Sequence, residues 1–203
     1  MSSNTLSAAQ MASQEEHRQA DARTTFGFWI YIMTDCVLFA SLFATFAVLR
    51  NNTFGGPGGG TLFSLPYALI ETLILLTSSF TCGLAILGAQ WHKRSQVLIC
   101  LGLTCLLGLA FLGLEIHEFS DLVASGNSWR RSGFLSSFFT LVGTHGLHIT
   151  AGLLWMATMI GQVWQKGLNR HNIRRLTLFS LFWHFLDIVW VFIFTIVYML
   201  GAL

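Results

Sequence analysis

The sequence predicts an all-α integral membrane protein, a bundle of five transmembrane helices with the N-terminus cytoplasmic and the C-terminus on the outer side. Three observations carry this expectation. Of 203 residues, 54% are apolar and only 10% charged, against roughly 25% charged in ordinary soluble domains, and the mean hydropathy is +0.63. The apolar residues gather into five continuous stretches, each of about 20 residues or more, the length that crosses a bilayer. All eleven Lys and Arg residues lie outside these stretches or at their ends, as expected where a cation at mid-bilayer costs about 2.5–3.5 kcal/mol or more.

Residues 1–25 read as a polar, mobile N-terminal tail, in which Glu15, Glu16 and Asp21 mix with Arg18 and Arg23. They lack a basic segment followed by a short apolar run and a small-residue cleavage site, so no cleaved signal peptide is expected. The acidic residues also argue against a transit peptide. The membrane domain, 26–203, then carries spans at about 26–49, 65–89, 96–120, 134–164 and 177–202. A Gly-rich loop, Asn51–Thr61, separates the first two. It follows no strand and opens no helix with a Lys, so it is not a phosphate-binding loop. The short turn at 90–95 makes spans two and three an antiparallel hairpin. The fourth span exceeds the bilayer thickness and should tilt or project into water. The runs are continuous rather than alternating, which calls for helices and not barrel strands. Small residues at helical spacing, Ala85 with Ala89, Thr104 with Gly108 and Ala157 with Gly161, read as ordinary bundle packing.

Orientation follows from the cations. Arg18, Arg23, Lys93, Arg94, Lys166, Arg170, Arg174 and Arg175 fall on the N-terminal side, and only Arg50, Arg130 and Arg131 on the other. The positive-inside rule places the richer side in the cytoplasm. A net charge of +2 is too small to suggest nucleic acid. Cys36, Cys82, Cys100 and Cys105 form no CxxC pair and read as small buried hydrophobes.

The informative residues are acids where acids are costly. Asp35, Glu71, Glu115 and Asp187 lie well inside spans, Glu118 and Asp121 near the end of the third, and His117, His145, His148 and His184 in or near the membrane. No Lys or Arg stands at mid-depth to pair with them. Each carboxyl must therefore be protonated, bonded to His or Trp donors, or in contact with water, lipid headgroups or a metal. His184 and Asp187 share a face, as do His145 and His148, and Glu115 and Glu118. An Asp187 carboxylate orienting His184 would hold span five against span four through buried hydrogen bonds. Trp183 and Trp190 flank that pair, supplying N–H donors or bulk. Three readings of the cluster stand open. A bundle metal site would use such residues but normally shows Glu-x-x-His, which this chain lacks. A proton relay uses Asp, Glu and His chains. Buried polar groups also bind helices to one another, to a neighbouring subunit or to headgroups.

Two segments carry a family resemblance. Phe182-Trp-His-Phe-Leu-Asp-Ile-Val-Trp190 resembles the signature in the last helix of subunit III of haem–copper oxidases, and Gly143-Thr-His-Gly-Leu-His148 resembles a second motif of that subunit. Asp35, within Tyr31-Ile-Met-Thr-Asp-Cys-Val-Leu-Phe39, matches the family's intramembrane acid, which is Glu in the cytochrome c oxidase branch. The match runs in order from about Phe26 to the C-terminus. A five-helix chain of this length, opening with Phe26-Gly-Phe-Trp-Ile-Tyr31, is similar to the cytochrome bo ubiquinol oxidase type of bacteria.

The resemblance implies a complex in the bacterial inner membrane that oxidises ubiquinol, reduces oxygen to water and moves protons. It places the haems and copper in partner subunit I and implies no catalytic, cofactor-binding or metal-ligating residue in this chain. Subunits II and IV would be further partners, and phospholipid would fill a cleft between helix groups. Asp35, Glu71, Glu115, His145, His148, His184 and Asp187 would then be polar anchors of the cleft and interface. The rival expectations are a cytochrome c oxidase subunit, a stand-alone membrane His/Glu metalloenzyme, or a small proton-coupled transporter.

Overall fold

The computed structural model describes residues 2–55 and 64–201. Positions 56–61 of the Gly-rich loop lie outside the described residues. The elements are all helical among the described residues: α1 (Ser2–Leu49), α2 (Leu65–Gln90), α3 (Arg94–Ala124), α4 (Gly133–Lys166), α5 (Arg170–Ile193) and a closing π-turn (Phe194–Met199). Among the described residues, five helices are long and apolar enough to cross a membrane.

Their boundaries follow local chemistry. Pro66 sits in the first turn of α2, where its missing N–H would be unpaired anyway. The Ser132 hydroxyl accepts from the Leu135 N–H and caps α4. Gly167, at φ +70°, ends that helix in the left-handed region. The backbone is helical from Ser2, so no break marks position 25. The fifth helix begins at Arg170, seven residues before the apolar span expected from 177. Helical hydrogen bonding continues through the polar Arg170–Arg175 turn, whereas hydropathy reports only the part suited to lipid.

The chain forms two compact units that divide after Leu38. The first unit is the N-terminal part of α1. Its outward residues, Phe26, Trp29, Ile30, Met33 and Val37, line a shallow apolar groove. Asp35 and Ile32 are its buried positions near the C-terminal end.

In the second unit, α2 packs against α3 and α5, and α4 bridges α3 and α5, so four helices close a ring. The end of α1 lies against α4 and α5, with Phe46 on Phe134 and Phe43 on Phe192. This unit is apolar outside, and its apolar core encloses the buried polar groups. Leu73, Phe80, Leu106 and Leu154 are exposed, while Glu71, Ser78, Thr104 and Glu115 are buried. That is the arrangement a lipid solvent favours, because hydrocarbon cannot satisfy polar groups.

Trp183 is the packing hub. A methyl group at Gly108 of α3 would lie 3.0 Å from its ring, and one at Gly152 of α4 only 2.9 Å. Both glycines therefore make room for the indole. Ala85 and Ala89 are buried, and Thr104 bonds to Thr81 across the α2–α3 hairpin at 2.8 Å. The Ala157–Gly161 pair departs from the packing expectation, since a methyl group on Gly161 would meet nothing within 4 Å. Spacing alone does not say which way a small-residue stripe faces. Of the cysteines, Cys82 is buried as expected, whereas Cys100 and Cys105 are half-buried and Cys36 is exposed.

Candidate functional site

Alternate turns of α5 aim donors at hydroxyls on one side of α2. The Trp183 indole N–H donates to Ser78 Oγ at 2.9 Å, and the Trp190 N–H donates to Thr72 Oγ1 at 3.1 Å. Between them, His184 Nδ1 lies 2.5 Å from Ser79 Oγ. The paired tryptophans are thus hydrogen-bond donors as well as bulk, and their acceptors on α2, Thr72 and Ser78, stand six residues apart.

The expected His184–Asp187 bond between spans five and four is not the one formed. His184 Nδ1 is 3.7 Å from Asp187 Oδ2, beyond hydrogen-bond length. Its short contact is with Ser79, so it ties α5 to α2. Asp187 is buried, and neither of its oxygens has a hydrogen-bond partner.

His145 and His148, three apart on α4, have different surroundings. His148 Nδ1 lies 2.7 Å from the Thr144 carbonyl oxygen, so that nitrogen carries the proton and donates. His145 is fully buried in an aromatic cage. It stacks on Trp190 at 5.3 Å and 29°, meets Phe111 edge-on at 5.9 Å, and meets Phe39 at 6.4 Å. Neither ring nitrogen has a hydrogen-bond partner.

A second polar group lies toward the Ser64 end of α2. The Tyr198 hydroxyl, carried inward by the π-turn, donates to Glu118 Oε2 at 2.7 Å. Tyr67 donates to the Leu114 carbonyl at 2.9 Å. One turn deeper, Glu71 and Glu115 are buried with no hydrogen bond to any of their four carboxyl oxygens. The Glu115 carboxyl rests on the Gly146 backbone.

The structure thus brings Glu71 and Glu115 together with Glu118 and Tyr198, and sets His145 in the aromatic packing beside them. His184 and Asp187 sit farther along α5, and Asp35 belongs to the first unit. Thr72, Ser78, Ser79, Tyr67 and Tyr198 are the residues that sequence reasoning missed. The available signal was the run of hydroxyls at mid-depth in span two, which single-residue cost arguments pass over because Ser and Thr bond their own helix cheaply.

Haem and copper ligation needs several convergent donors. Among the described residues, no group of three or more His, Cys, Asp or Glu side chains is arranged to hold a metal ion. His148 and His184 each use Nδ1 in a hydrogen bond and His145 stands among aromatic rings, so no three donors converge. These residues do not fit a metal centre.

The family model for cytochrome c oxidase subunit III matches residues 8–202. A curated relative from Pseudomonas aeruginosa, cytochrome bo(3) ubiquinol oxidase subunit 3, is 59% identical over 180 residues, covering 89% of this chain and 86% of its own. The protein of the same name from Pseudomonas putida is 53% identical, covering 89% and 87%. A cytochrome c oxidase subunit 3 from Bacillus sp. strain PS3 is 44% identical, covering 94% and 92%.

Proposed function

The chain belongs to the cytochrome c oxidase subunit III family, and from that membership we propose that it is the accessory, non-catalytic subunit III of a proton-pumping cytochrome bo-type ubiquinol oxidase. The carrying observation is the likeness to the Pseudomonas ubiquinol oxidase subunits over most of both chains. The complex oxidises ubiquinol and reduces oxygen to water, with the haems and copper held by subunit I. This chain packs on subunit I in the bacterial inner membrane, beside subunits II and IV, and holds phospholipid.

Its N-terminus is cytoplasmic, by the cation asymmetry. Residues 1–25 form a water-facing extension, and 26–203 form the membrane domain. The seven polar residues serve two kinds of anchoring. Glu71, Glu115, His145 and Asp187 lie inside the helix ring with no hydrogen bond to this chain, and anchor through water or a partner's groups. His148 and His184, half-buried, and Asp35 in the first unit serve the interface and lipid cleft. The apolar groove from Phe26 to Val37 suits an acyl chain or a partner helix.

The likeness to the Bacillus protein favours a second reading, in which the donor is cytochrome c. One experiment separates these. Tagged chain is drawn from its native membrane in mild detergent, and the eluate is tested for haem, copper, and oxidation of quinol against reduced cytochrome c. Haem, copper and quinol oxidation in the eluate, with a colourless lone chain, support the proposal. Cytochrome c oxidation alone replaces the donor. Stoichiometric metal on the lone chain without partners overturns the accessory role.

A further inference from the structure

Two ladders of polar side chains descend from one polar-lined cleft into the ring. The cleft, about 500 Å³, is lined by Ser64 and Tyr67 of the α2 end and by His117, Glu118, Asp121, Ser125 and Asn127 of the α3 end. On α2 the ladder runs Ser64, Tyr67, Glu71; on α3 it runs Asp121, Glu118, Glu115. Each step is three or four residues, so each ladder keeps to one helix face. Exposure falls along it: the Asp121 side chain is 69% exposed, Glu118 is half-buried, and Glu115 is 2% exposed.

At the foot stand two buried carboxyls, and the charged groups acting on them, among the described residues, are other carboxylates. Glu118 acts on Glu71, and Glu71 and Glu118 act on Glu115. None of the four oxygens of Glu71 and Glu115 bonds to this chain. A buried polar group left unbonded is costly, and ordered water is the usual remedy where a polar site has room. The π-turn fits this reading, since such turns often mark functional positions in helices. Here it directs Tyr198 inward, onto Glu118.

We propose that Glu71 and Glu115 form an internal hydrated acid site, binding a few water molecules and exchanging protons with the cleft through Glu118. A proton arrives from hydronium in the cleft, is taken by the Glu118 carboxylate, and passes through bound water to a Glu71 or Glu115 oxygen. Release runs the same steps backward, so no bond other than O–H is made or broken. Tyr198 is a positioning residue, holding Glu118 at the mouth. The groups facing the site are Tyr67 from α2, Glu118 from α3, His145 beside Gly146 from α4, Trp190 from α5, and Tyr198 from the π-turn, with His117 and Asp121 at the rim. The site depends only on this chain, whichever oxidase it joins.

The test is infrared spectroscopy of the full chain in lipid nanodiscs at neutral pH, transferred from H2O to D2O. A carboxylic C=O band that shifts on deuteration is expected, and it should move when the glutamate carboxyl carbons are isotope-labelled. Glu71→Gln and Glu115→Gln should each diminish the band, and the double variant should abolish it. Glu118→Gln should leave the band but slow its deuteration by about tenfold or more. A labelled parent with no such band, or with a band that resists deuteration, overturns the proposal without reference to any variant. Deuteration as fast in Glu118→Gln as in the parent overturns the route.

Discussion

The Glu115 carboxyl rests on the bare α-carbon of Gly146, where an added methyl group would stand 2.8 Å from Oε1 and 3.1 Å from Oε2. Gly146 belongs to the family-like segment on α4, and Glu115 is the deepest acid on α3. The absence of a side chain at one position thus sets where the carboxyl of the other can lie. Gly146→Ala should push that carboxyl aside and cost about 1–3 kcal/mol, the usual range for overpacking. Glu115→Ala in the same chain should recover part of the loss. Thermal unfolding of the four proteins in detergent checks this, and additive losses would mean that the contact is not what the glycine serves.

Gly152 and Gly108 face a rigid ring rather than a flexible chain end, so their substitution should be less forgiving. Gly152→Ala should destabilise by about 1–3 kcal/mol, and Trp183→Phe should relieve it by removing the ring edge that collides. Equal melting temperatures for Gly152→Ala and the parent would contradict the 2.9 Å approach.

The indole bonds to α2 are worth measuring as pairs. Trp183→Phe and Ser78→Ala should each weaken the chain modestly, with a coupling of about 0.6–1.7 kcal/mol, the span seen for hydrogen bonds between membrane helices. Trp190→Phe with Thr72→Ala should behave alike. A double-mutant cycle closing at zero for both pairs would leave the tryptophans as bulk alone.

His184 and Ser79 form a third such pair, with Asp187 Oδ2 3.7 Å from His184 Nδ1. Ser79→Ala and His184→Ala should cost similar amounts and should not add. Asp187→Asn should change stability by less than about 1 kcal/mol, because neither oxygen is bonded to this chain. Asp187→Leu should loosen the subunit if the polar head is what the site requires. Retention of each variant in the purified complex is the readout. Full retention of Asp187→Leu would remove Asp187 from the anchoring set.

The five helices were legible from hydropathy because the bilayer demands about 20 apolar residues per crossing whatever the helices pack against. Expected and observed limits of α2 differ by a single residue, 65–89 against Leu65–Gln90. The fifth helix was read seven residues short at its start because helical hydrogen bonding extends past the lipid-suited run. The identities of the costly residues were equally plain, since an acid in an apolar run stands out without any neighbour being known.

What sequence alone determined is therefore which elements cross the membrane and which residues inside them need a partner. Both are properties of a residue and its solvent. Only the tertiary structure decided the partners: Ser79 for His184, Glu118 for Tyr198, an aromatic cage for His145, and Gly146 beneath Glu115. Each pairing depends on how one helix is rotated against another. That rotation is the joint outcome of packing along whole faces, with Trp183 wedged between two glycines at its centre. No local pattern in one span carries the angle of the next.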